Sequence, residues 1–226
     1  MKTYRFSLLD VATAIVTVTI LAMALWTATQ APDVAYPMHF NARGEPDRWG
    51  DRNELALLLG FMSAMTAITA GMMGWYARKA EDRARRRGLR AGQLVSLLSI
   101  GGVTALILWF TVGAMTGATT PSTGWMMALT GLILAVVGGG LGRVGPNPII
   151  GVRTPWSYKS RLAWDRSNRL AGRLFFWIGL GLIVAAPIAP QPAASVAVPA
   201  LIVGAALWSV FESWRVWRAD PDRQPF

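Results

Sequence analysis

GPNPIIGVRTPWSYKSRLAWDRSNRLAG, residues 145–172, is polar, basic and proline-punctuated, and it lies between two strongly apolar runs. Pro146, Pro148 and Pro155, with Gly145 and Gly151, make its first third a poor helix. A chain that mostly spans lipid keeps such a segment because it caps, binds or positions something. The surroundings make that setting clear: 53% of the residues are hydrophobic, only 15% are charged, and the mean hydropathy is +0.38. That is too apolar for an ordinary soluble domain.

Working outward from the segment, six apolar runs have the length of about 20 residues that a helix needs to cross roughly 30 Å of hydrocarbon. They are 8–29, 54–76, 93–117, 124–142, 171–189 and 196–216. The fold class is therefore all-α, a polytopic membrane protein with six transmembrane helices. The first run, preceded by Lys2 and Arg5, resembles a signal peptide in its charge. From Val11 to Ala28, however, it is long for that purpose and no small-x-small cleavage site follows, so a retained helix is expected. With no cysteine, disulfides and thiolate metal sites are excluded.

The net charge of +10 raises the question of nucleic acid, but its distribution answers it. The segments between runs two and three and between runs four and five each hold seven Lys and Arg residues, and the third-to-fourth and fifth-to-sixth connections hold none. With both termini in the cytoplasm, 19 of the 22 Lys and Arg residues lie inside. This is the positive-inside pattern, giving an N-in/C-in topology in the cytoplasmic membrane, with the bilayer as first partner and no direct nucleic-acid binding. Trp26, Trp75, Tyr76, Trp125, Trp214 and Trp217 fall at run ends, where amphipathic rings anchor at the headgroups. Gly131, Gly138, Gly139, Gly140, Gly179 and Gly181 predict close helix contacts in spans four and five.

Two polar constellations remain. The loop over 30–53, outside in this topology, contains PMHFNARGEPDRWG (37–50), with turn-forming Asn41–Gly44 and a stiffening Pro46. Asn53 is a candidate cap for the second span, with Glu54 near its positive end. His39, the only histidine, has no second imidazole at metal-binding spacing, so a hydrogen-bonded loop role is expected rather than a metal site. In the cytoplasmic loop over 143–171, Asn147 and Thr154 are placed to bond backbone groups freed by the prolines. Ser160 is a plausible N-cap for a helix that continues into span five, with Trp164 and Asn168 on one face. Asp10 and Glu212 sit just inside the cytoplasmic ends of spans one and six. Each needs a partner, and Arg153 is the candidate. No Ser/His/Asp set or phosphate-cradling glycine loop is present, so catalysis is not expected and no cofactor is implied.

PNPIIGVRTPW, then Trp164, then SNRLAG, resembles the signature of the SdpI family of bacterial membrane proteins. The outer PMHFNARGEPDRWG resembles the domain of unknown function that precedes it in that family. The implied division is an N-terminal two-helix region over 1–92 and a four-helix region over 93–226. The resemblance implies an immunity protein that protects a bacterium against a secreted antimicrobial peptide, and that in one form holds a transcriptional repressor at the membrane. The expected partners are thus a toxin peptide outside and a regulator inside. The implied partner or ligand residues in the cytoplasmic loop are Asn147, Gly151, Arg153, Thr154, Pro155, Trp156, Trp164 and Asn168. Those in the outer loop are Pro37, His39, Phe40, Gly44, Pro46, Asp47 and Trp49. Two departures stand out. Ser167-Asn168 replaces the family's Thr-His, and Lys159, Ser160 and Arg161 stand where acidic residues are common. The competing reading is a transporter or permease for a small amphiphile, with Thr111, Thr116 and Thr119 as its polar path; a membrane enzyme ranks below both.

Overall fold

A computed structural model describes residues 6–41, 43, 45–116, 124–143, 145–146, 150–190 and 193–224, without the side chains of 84, 114 and 115. Among the described residues, six helices are long and apolar enough to cross a membrane. They are α1 (Leu8–Gln30), α2 (Arg52–Lys79), α3 (Arg83–Thr116), α4 (Gly124–Leu141), α6 (Arg161–Ala185) and α7 (Ala193–Ala219). A short helix, α5 (Pro155–Tyr158), lies between α4 and α6. The six-span fold is as expected, although α3 starts at Arg83 and α6 at Arg161, about ten residues before the apolar runs do. Hydropathy marks where lipid begins, whereas the helix continues through the basic residues into the headgroup layer.

The loop over 30–53 departs from a purely helical chain by forming a two-stranded antiparallel hairpin, β1 (Tyr36–Phe40) and β2 (Pro46–Gly50). Asn41 Oδ1 accepts the Arg43 and Glu45 backbone N–H groups at 2.8 and 3.1 Å and so builds the turn. Asp51, not Asn53, caps α2: its carboxylate accepts the Glu54 N–H at 2.8 Å. The first N–H groups of α2 point toward Asp51, which lies one residue before the helix. Asn53 lies within the first turn and cannot serve as the cap. The hairpin is tied down by Tyr36, which is fully buried with Ile20, Ala24, Leu55 and Leu59 and donates its hydroxyl to the Pro32 carbonyl at 2.7 Å. Burial pushes the Tyr36 phenol above its usual pKa, with Arg52 opposing and Asp33 adding to the shift, so the hydroxyl stays a donor. Phe40 lies 4.7 Å from Phe110 of α3, ring centre to ring centre.

α1 packs on α2, and α2 on α3; α4 packs on α6, and α6 on α7; α3 also touches α4. The α4–α6 contact is built from glycine. A Cβ at Gly131 would lie 2.6 Å from the Gly179 carbonyl oxygen, and one at Gly138 would lie 2.6 Å from that of Gly172. Seven-residue spacing on both helices, run antiparallel, brings the backbones together twice along the seam. Gly140 and Gly181 have open space around them and Gly139 only a ring carbon at 4.0 Å, so the expected glycine contacts come from one face of each helix.

Replacing Gly138 with Leu forces a side chain into the backbone of α6, whereas Gly181→Leu meets nothing. The first variant is expected to lose roughly 1–3 kcal/mol or more. The second should stay within about 0.5 kcal/mol of wild type. Thermal unfolding in detergent checks both.

Candidate functional site

Alternating spans bring the start of α1, the end of α2, the start of α3, the end of α4, the start of α6 and the end of α7 to one end of the bundle. The segment 150–160 folds over that end. Gly151 has φ +131°, a conformation open to glycine, and a Cβ there would lie 2.7 Å from Asn168 Oδ1 and 3.0 Å from the Trp164 ring. This approach lets the Val152 N–H donate to Asn168 Oδ1 at 2.8 Å while Asn168 Nδ2 donates to the Trp164 carbonyl at 2.9 Å. Trp164 and Asn168 therefore share a face as expected, and both are almost fully buried.

Thr154 then caps α5, with Pro155 at its first position. Thr154 Oγ1 accepts the Ser157 N–H at 3.1 Å, and Ser157 Oγ accepts the Thr154 N–H at 3.0 Å. Ser213 of α7 donates its hydroxyl to the Val210 carbonyl at 2.7 Å, so Thr154 is the donor in the 2.7 Å contact between the Thr154 and Ser213 hydroxyls. Ser160 caps α6 as expected, accepting the Ala163 N–H at 2.9 Å. Its own proton goes to Asp220 at 2.5 Å, and the Gln224 N–H donates to the Lys159 carbonyl at 2.8 Å. The segment is thus sewn to α6 by Asn168 and to α7 and its tail by Ser213, Asp220 and Gln224.

Of the predicted residues here, Gly151, Thr154, Trp164 and Asn168 are brought together as packed structure. Arg153 and Pro155 are exposed and Trp156 is partly so; Asn147 lies outside the described residues. Ser157, Ser213 and Asp220 had no sequence signal, because the last two act across about 60 positions of chain.

Arg153 is not the partner of the two intramembrane acids. Asp10, only 6% exposed, is held by Arg90 at 2.7 and 3.0 Å and by Arg78 at 3.1 Å, with the Ser7 N–H at 2.9 Å. The buried Gln93 amide joins Asp10 to Thr13 at 3.2 and 3.0 Å. Glu212 is bonded by Arg215, three residues on, through two contacts of 2.8 Å. The basic runs near Asp10 look like topology signals alone; the helix crossing aims two of their members at the carboxylate.

At the opposite end, Pro37, His39, Phe40, Pro46, Asp47 and Trp49 all lie on the hairpin, and Gly44 lies outside the described residues. His39 Nδ1 is 2.5 Å from Asp47 Oδ1, which gives the histidine a partner within the loop. Arg48 contacts Glu54 across the end of β2. Beneath the hairpin, a cavity of about 300 Å³ is lined by Pro37, Phe40, Phe110, Met126 and neighbouring aliphatic side chains. Thr111 and Thr116, the expected polar path, donate their hydroxyls to the Ile107 and Val112 carbonyls of their own helix at 2.8 Å, and Thr119 lies outside the described residues.

Asn168→Ala leaves the Val152 N–H without its acceptor at a buried position. We expect a loss of about 1–3 kcal/mol and faster amide exchange confined to 150–160. Hydrogen exchange read by mass spectrometry, with Asp165→Asn, half-buried and outside this network, as the control, checks this.

The knotted segment and the hairpin coincide with the stretches that family comparison picks out. Residues 143–212 match the SdpI/YfhL protein family, and residues 15–63 match a domain of unknown function, DUF1648. Comparison with curated proteins and with solved structures returns no match. The two matched stretches together span about half of the chain, in the order and over the motifs that the residues indicated. The chain is a six-span membrane protein whose residues 143–212 are similar to the SdpI/YfhL family and whose residues 15–63 are similar to DUF1648.

Proposed function

We propose that this protein is a non-enzymatic immunity and sensing factor of a bacterial cytoplasmic membrane, N-in and C-in, that meets a secreted antimicrobial peptide with its hairpin. The SdpI/YfhL match over residues 143–212 supports the immunity-type role. The observation that carries the proposal further is the pairing of two pinned polar structures at opposite ends of one bundle. They are a hairpin seated on an apolar cavity and a sewn loop whose outer surface presents Arg153 and Pro155.

An amphiphilic peptide lying at the outer membrane surface has the chemistry that the hairpin fits. The exposed His39–Asp47 pair and Trp49 offer polar and aromatic contacts, and the cavity under Phe40 takes an apolar side chain. Inside, the exposed Arg153 and the basic turn Lys159–Arg161 fit an acidic surface on a cytoplasmic regulator. Signalling between the ends requires two arrangements of the bundle that bind the peptide differently, with α3 and α4 as the elements in contact between the halves.

Cysteines placed singly in this cysteine-free chain test the orientation. Trp49→Cys is expected to react with a membrane-impermeant maleimide in intact cells, and Arg161→Cys only after lysis; the reverse pattern rejects N-in/C-in. Expression in a peptide-sensitive host is then expected to raise survival under peptide challenge, with Trp49→Ala lowering protection by about tenfold. Survival curves that match the empty vector at every dose reject protection.

A further inference from the structure

We propose that the groove between α4 and α6 is a binding site for one anionic glycerophospholipid, its phosphate held by arginines of the loop-bearing end and one acyl chain lying along the glycine seam. The groove measures about 510 Å³. Arg143 at the end of α4 and Arg166, Arg169 and Arg173 on α6 line it, and Phe176 and Trp177 lie deeper along the same helix. At 1.5 Å per residue, Trp177 sits about 6 Å below Arg173 and about 16 Å below Arg166. The cations therefore occupy the headgroup level and the rings the start of the hydrocarbon.

Charge chooses the occupant. No carboxylate lines this groove. Among the described residues, Asp165 is engaged by Arg161 at 3.4 Å, and Glu212, which shares the adjacent recess between α6 and α7 with Arg166 and Arg173, is bonded by Arg215 at 2.8 Å. All four lining cations are arginines, whose planar forks bond phosphate oxygens in pairs. A zwitterionic choline lipid brings a cation for which the groove has no partner, so an anionic lipid is favoured.

Shape separates a lipid from a free anion. Gly139 leaves the α4 wall without a side chain, Gly142 just past the helix lies against Arg169, and Trp177 is 68% exposed along the same groove. An inorganic anion leaves this apolar floor uncovered, whereas an acyl chain covers it. Basic recesses between transmembrane helices at the cytoplasmic face are suited to anionic headgroups.

The test uses the full-length protein purified in neutral detergent, read by native mass spectrometry and thermal unfolding against phosphatidylglycerol, phosphatidylcholine and inorganic phosphate. Phosphatidylglycerol is expected to stay bound and raise the melting temperature, and the other two to do neither. Arg169→Gln removes a cation, and Gly139→Leu fills the groove while keeping every charge; each should cut phosphatidylglycerol retention by about tenfold. Gly140→Leu, whose added side chain meets open space, and Arg87→Gln in the separate basic run should retain it as wild type does. Equal retention of phosphatidylcholine, or stabilisation reproduced by inorganic phosphate alone, overturns the proposal. So does wild-type binding by Gly139→Leu, which decides the matter even if Arg169→Gln does not fold.

Discussion

Gly138 and Gly172 meet backbone to backbone, and the architecture of the loop-bearing end follows from that approach. Without side chains between them, α4 and α6 run close enough that the chain joining them must turn within a narrow space. Gly151 takes the left-handed conformation that such a turn needs, and the Val152 amide is brought to Asn168. From there Thr154 starts a single helical turn and Ser160 starts the next helix, each with its cap already engaged by α7 or its tail. A bulkier seam would push α6 away from α4 and carry the loop that α6 and α7 hold with it.

Two kinds of polar burial coexist at this end, and their energetics differ. In the loop, neutral hydroxyls and amides satisfy one another in chains, where each bond adds about 1 kcal/mol and each broken one leaves a costly orphan. Around Asp10, one carboxylate faces two guanidinium groups and the Gln93 amide. Such a cluster adds little net stability over an apolar substitute but is expensive to break by halves, so it fixes how α1, α2 and α3 cross. Gly74 contributes by absence: a Cβ there would lie 2.5 Å from the Asp10 carboxylate and 2.7 Å from the Gln93 amide. The proposed phosphate site is a third case, in which arginines without acidic partners look outward to the bilayer for their counter-charge.

The motif residues divide by role once the structure is seen. Gly151, Thr154, Trp164 and Asn168 make the loop's shape, while Arg153 and Pro155 sit on its surface. Asn168 is the clearest of the shape-making residues. Its amide both accepts from Val152 and donates to Trp164. It holds the loop with no titratable proton, so this joint does not respond to pH. The hairpin shows the same division: Tyr36 and Phe40 seat it, and His39, Asp47 and Trp49 face outward.

The sequence by itself determined the six spans, the sharing of one face by Trp164 and Asn168, and the Ser160 cap. Each is a local property, set by hydropathy over about 20 residues or by helical spacing of three or four. The hairpin was half legible: its turn residues were plain, but its strands depend on Tyr36 and Phe40 finding α1, α2 and α3. The partner of Asp10 is not legible in the sequence because pairing follows helix crossing, and Arg90 lies 80 residues away. The cap of α2 is ambiguous there because Asp51 and Asn53 are both good caps and only the helix start separates them. Ser213 and Asp220 left no trace in the local pattern, since a serine in a lipid-spanning helix and an acid in a tail look alike whether or not they hold a loop. Tertiary structure decided these contacts because only the packing of α7 against α6 and the loop brings residues 60 positions apart within hydrogen-bonding distance.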